Sequence, residues 1–103
     1  MNKLEYFSKA VEIVAELMDV TEDEIVNARF FAAVDARWIV IRLMHDKGYK
    51  TRQIAPLVNS AKRSVNHALA FFDDKADFSE NDVRGNYEKA KRILAKAEQQ
   101  RGN

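Results

Sequence analysis

Cysteine is absent from the 103 residues, which removes disulfides, thiolate metal ligands and a cysteine nucleophile from consideration. Proline occurs once, at Pro56, and glycine three times, so few positions break the chain or turn it sharply. Long hydrophobic runs are missing too. The stretch Trp38–Ile41 falls far short of the roughly 20 residues that span a bilayer. The opening residues carry no basic segment leading into an apolar run, so no signal peptide is readable. These absences predict a cytoplasmic protein with no membrane partner. The Met1 start and the lack of a Pro/Gly-rich linker predict a free-standing chain. The inventory of catalytic motifs is equally thin. There is no phosphate-binding GxxxxGK[ST], no HExxH, and His45 and His67 stand 22 residues apart. No Ser-His-acid arrangement is suggested locally. The expectation is a protein that is not an enzyme, with no cofactor, no metal and no small-molecule substrate.

What remains is an ordinary globular composition, 47% hydrophobic and 32% charged, in a length that suits one domain over 1–103. The net charge of +1 hides a strong segregation. Residues 1–26 sum to −5, residues 42–67 to +5, residues 68–82 to −4 and residues 83–103 to +4. The block at 42–67 holds Arg42, Lys47, Lys50, Arg52, Lys62 and Arg63 against Asp46 alone. A basic island of this kind, rather than total charge, is what meets a phosphate backbone.

Helical spacing runs through almost the whole chain and strand alternation through none of it. Phe7, Ala10, Val11, Val14, Leu17 and Met18 form an i, i+3, i+4 stripe on a first helix over 4–18. Thr21 with Glu24 predicts a capping box opening a short second helix that turns Ile25 and Val26 inward. A third helix over 32–47 is apolar on nearly all sides and should be central, with Gly48 as its left-handed cap. A short helix over 51–58 takes Thr51 as N-cap, although Pro56 is awkward beyond its first turn. Asn59 suits a left-handed turn position and Ser60 can cap a helix over 61–72. An acidic link over 73–77 then leads to a last helix carrying Val83, Tyr87, Ala90, Ile93, Leu94 and Ala97. The tail over 99–103 is polar and should fray. Trp38, Phe71 and Phe72 lie on apolar stripes and read as core. Phe30-Phe31 is either core or an exposed patch for a protein partner. His45 reads as a surface residue at a helix C-terminus. The fold class is therefore all-α, a small bundle of five to six helices.

The unit 51–72 pairs a short helix with a second one across a tight turn, a helix-turn-helix pattern. In that arrangement the second helix enters the major groove and its first turns read base edges. Here those turns offer Lys62, Arg63, Ser64, Asn66 and His67. Arg and Lys can donate to guanine, and Asn can pair with adenine. Lys50, Thr51 and Arg52 can hold phosphates from the first helix. A pair of core helices with a polar outer face would leave the same pattern.

The ordered series Ile13-Val14-Ala15-Glu16, Val20-Thr21-Glu22-Asp23-Glu24-Ile25, Ala36-Arg37-Trp38-Ile39, Ile54-Ala55 and Val65-Asn66-His67-Ala68 resembles the C-terminal, origin-binding domain of the DnaA family. The resemblance extends from Val11 to Ala95. It implies a Trp-repressor-like helical fold and binding of double-stranded DNA. Arg37 matches the family arginine that reaches the minor groove, His67 a recognition-helix histidine, and Ser64 a threonine. Two departures stand out. The family's base-reading Asp-His-Thr is replaced by Ala61-Lys62-Arg63, and a basic pair by Phe30-Phe31. The family's target sequence is therefore not expected to carry over. With no ATPase module, the chain is expected to act by occupying a site, in replication or in transcriptional control. The alternative is a protein-interaction module on the same scaffold that has lost DNA binding.

Overall fold

A helix that is apolar on most of its sides packs against several others, and α3 (Phe31–Asp46) touches all six of them in the computed structural model, which describes residues 1–102. Ala33, Ala36, Ile39, Val40, Leu43 and Met44 are buried along it. Around α3 lie α1 (Lys3–Met18), α2 (Glu22–Asn27), α4 (Thr51–Ile54), α5 (Lys62–Ala70), α6 (Phe72–Phe78) and α7 (Val83–Gly102). The longest two, α1 and α7, pack on each other and on α3 to close one side of the bundle. The described residues contain no strand. The radius of gyration, 12.5 Å, matches the ~13 Å of a compact chain of about 100 residues.

Local chemistry sets the ends of these elements. Thr21 Oγ1 accepts from the Glu24 amide at 3.0 Å, and Glu24 Oε1 accepts from the Thr21 amide at 2.9 Å, which completes the capping box that opens α2. Gly48 has φ +104° just past α3, a conformation that side chains with a Cβ rarely adopt. Asn59 has φ +50° in the turn before α5, as its short polar side chain permits.

Several expectations are corrected. The described residues form seven helices, not five or six, because residues 72–78 form α6 rather than an acidic link. Phe72 and Ala76, four apart, turn inward there, and no Gly or Pro interrupts the turn. The helix opening at Thr51 ends at Ile54. Pro56 has no N–H for the next helical bond, so the ladder breaks into turns over 55–59. Lys50 occupies the N-cap of α4, with its amide donating to Gln53 Oε1 at 2.8 Å, and Thr51 is the first helical residue. Ala61, not Ser60, occupies the N-cap of α5, and Ser60 Oγ donates to the Val58 carbonyl at 3.1 Å. Phe72 is buried as expected, but Phe71 is exposed, and so are Phe30 and Phe31. The helical tail continues to Gly102, and the rest of the expected fraying lies outside the described residues.

One buried charge ties the bundle together. Asp35, near the start of α3, accepts from Lys75 Nζ at 2.6 Å, Ser79 Oγ at 2.5 Å and Asn81 Nδ2 at 2.8 Å. These partners come from α6 and from the loop before α7, so the carboxylate fastens both to α3. Burial alone raises the Asp35 pKa, but the hydrogen bonds from Asn81, Lys75 and Ser79 and the Lys75 charge outweigh it and hold the pKa below its ordinary 3.8. Replacing Asp35 with Ala strands the Lys75 ammonium and should lower unfolding free energy by about 2–3 kcal/mol at neutral pH, read from urea denaturation. A group with a depressed folded pKa stabilises above its unfolded pKa and ceases to as pH falls through the folded value. The gap between wild type and Asp35→Ala should thus narrow below the ordinary 3.8. Equal urea midpoints at pH 7 would rule out this role for the network.

Candidate nucleic-acid interface

The outer face of α5 is built by its inner one. Val65 and Ala68 are fully buried against the core, which turns Lys62, Arg63, Ser64, Asn66 and His67 to solvent. Val65 and Ala68, three apart, share one face, which leaves Arg63, Ser64, Asn66 and His67, one or two positions from them, turned outward. Ala61 supplies no side-chain cap, so no side chain satisfies the first amides of α5. That end of the helix carries a positive partial charge as well as free donors.

Lys50 and Arg52 are exposed on α4, which packs on α5. Thr51 does not cap its own helix. Its hydroxyl donates to Asn66 Oδ1 at 2.7 Å, which pins the two helices to each other and fixes the Asn66 amide. The turn between them is anchored as well, through Asn59 Nδ2 donating to Asn27 Oδ1 of α2 at 3.0 Å.

Arg37 departs furthest from expectation. It is half-buried, and its guanidinium donates to two main-chain carbonyls at the end of α2, Ile25 O at 2.6 Å and Ala28 O. No acid pairs with it among the described residues. Burial and, second, the charge of nearby Arg29 push its pKa down. Two guanidinium groups are therefore held close without a counter-ion. With Asn59, Ser60 and Ser64 they line a polar cleft of about 290 Å³ beside the start of α5. Arg29 was not singled out by the sequence; its only signal was a lone cation following the second helix.

The charge imbalance at this end is real. Arg29, Lys50, Arg52, Lys62 and Arg63 make no ion pair among the described residues. Several cations elsewhere are engaged: Arg42 with Asp46 at 3.1 Å, Lys47 with Glu98 at 2.5 Å, Arg84 with Asp77 at 2.9 Å. His67 sits at the far edge of the α5 face. Its ring stands edge-on to Trp38 at 5.7 Å and against Phe71 at 4.7 Å. No group of His, Asp or Glu that could hold a metal ion occurs among the described residues. No helix there is long and apolar enough to cross a membrane.

Comparison with known protein families, with characterised proteins and with solved structures finds no match to this chain.

Because Arg37 holds the end of α2 to α3, Arg37→Ala should destabilise the free protein by about 1–3 kcal/mol. Chemical denaturation without any ligand reads this. A variant as stable as wild type would mean that Arg37 faces solvent and bonds nothing in the fold.

Proposed function

We propose that this chain binds double-stranded DNA, with α4, the turn over 55–61 and α5 acting as a helix-turn-helix and α5 entering the major groove. The observation that carries this reading is the gathering of Arg29, Lys50, Arg52, Lys62 and Arg63, none of them ion-paired among the described residues, around the uncapped start of α5. Lys62 and Arg63 are placed to meet guanine edges or phosphates, and Asn66 and His67 follow one turn later on the same exposed face. Lys50 and Arg52 suit the backbone on one flank. The Arg29–Arg37 cleft, with the hydroxyls of Ser60 and Ser64, suits a phosphate on the other. Arg37 in this reading acts from within the fold: its remaining N–H donors face the cleft while two carbonyls hold it in place.

The resemblance to the DnaA C-terminal domain points in the same direction. Lys62 and Arg63 in place of an acid and a histidine give this protein a different target, with greater weight on phosphate contacts. Acting by occupancy, it serves as a replication-initiator-like factor or a transcriptional regulator in the cytoplasm. A second reading, a protein-interaction module without DNA binding, is favoured by the exposure of Phe30 and Phe31.

Duplex binding titrated across salt tests the DNA reading. Wild type should bind with affinity falling steeply with salt, and the Lys62→Ala/Arg63→Ala variant should bind more weakly with a slope shallower by up to about two. Absence of duplex binding at low salt would sink the DNA reading and favour the interaction module.

A further inference from the structure

The molecule has a second surface that shares only His67 with the face proposed for DNA. A groove of about 630 Å³ opens between the start of α3, the end of α5 and α6. Its walls are aromatic: Phe31 and Phe78, each 85% exposed, then Phe71, Trp38 and His67. The Asp35–Lys75 pair forms its floor, with Lys75 Nζ 4.3 Å from the Trp38 ring centre. At its rim stand Asp74 and Glu80, which make no ion pair among the described residues. This is the acidic block of residues 68–82 folded around an apolar slot.

The complementary surface lies on the same chain. On α7, Lys89, Arg92, Ile93 and Lys96 lie along one side, three and four positions apart. Ile93 is 43% exposed beside Leu17 of α1, although its spacing marked it as core. The three cations around it make no ion pair among the described residues. An apolar anchor ringed by cations matches an aromatic slot rimmed by acids, in the manner of an amphipathic helix laid into a groove. Ile93 is ten residues, about 15 Å of helix, beyond the start of α7, and its neighbour is α1 rather than α6. The two surfaces therefore belong to different parts of one molecule.

We infer that the occupant of the groove is α7 of a second copy of this chain. Ile93 enters the slot near Phe31 and Phe78, and Lys89, Arg92 and Lys96 reach Asp74 and Glu80. The contact is head-to-tail: each molecule uses its groove toward one neighbour and its α7 toward the other, so assembly extends beyond two copies unless a ring closes. The proposal does not rest on the DNA reading, since neither surface includes the cations of α4 or the start of α5 and His67 alone is shared.

Sedimentation of the free protein, in a dilution series down from about 1 mM, tests it, that concentration being the weak end of specific association. Wild type should show a weight-average mass rising with concentration above the 11.8 kDa monomer, and falling back as salt is added. Asp74→Lys/Glu80→Lys and Lys89→Glu/Arg92→Glu/Lys96→Glu should each stay monomeric while keeping wild-type helical circular dichroism. Mixing the two should restore association, because every groove then finds an α7 of opposite sign. Phe31→Ser/Phe78→Ser should be monomeric with no change of charge. A wild type that stays monomeric throughout overturns the proposal and leaves the groove to a foreign protein. Charge variants that still associate alone, or fail to associate when mixed, overturn it equally.

Discussion

Contact of α3 with all six other helices is the constraint from which the other positions follow. A central helix that touches every neighbour fixes each neighbour by whatever it presents in that direction. Toward α2 it presents Arg37, which takes the free carbonyls at that helix's end. Toward α5 it presents Trp38, which backs His67. Toward α6 and the following loop it presents Asp35, whose hydrogen bonds come from Lys75, Ser79 and Asn81. Three consecutive directions of one helix thus orient the cationic end of the molecule and the aromatic groove.

The distribution of partners around that frame separates structural charge from unused charge. Where a cation has a fixed acid partner, as Lys75 has in Asp35, its role is within the bundle. Where several cations gather with no partner, their mutual repulsion is relieved only by an outside anion or by water and salt. Exposed ion pairs add little to stability. The unpaired clusters on α5 and α7 and the unpaired acids on the groove rim therefore speak for contacts outside the fold rather than within it.

The sequence was informative where one rule decided alone. The capping box at Thr21, the glycine after α3, the left-handed Asn59 and the all-round apolar α3 each follow from a local pattern with a single physical solution. The exposed residues of α5 were legible for the same reason, since burying Val65 and Ala68 assigns the rest. Elsewhere, tertiary partners decided. Residues 72–78 look like an acidic connection until Phe72 and Ala76 find the core and Asp35 finds Lys75. Thr51 has the side chain of a cap but gives its hydroxyl to Asn66, fifteen residues away. Arg37 bonds carbonyls that no spacing rule connects to it. Asp35 and Phe78 were unmarked because burial of one and exposure of the other depend on which helices meet.

His67 belongs to two surfaces at once. It closes the exposed face of α5, and its ring, held between Trp38 and Phe71, is also a wall of the aromatic groove. A shared wall makes the two faces thermodynamically linked. Whatever free energy a molecule in the groove adds to or removes from binding along α5 through that imidazole, an occupant of α5 must return in equal measure to the groove.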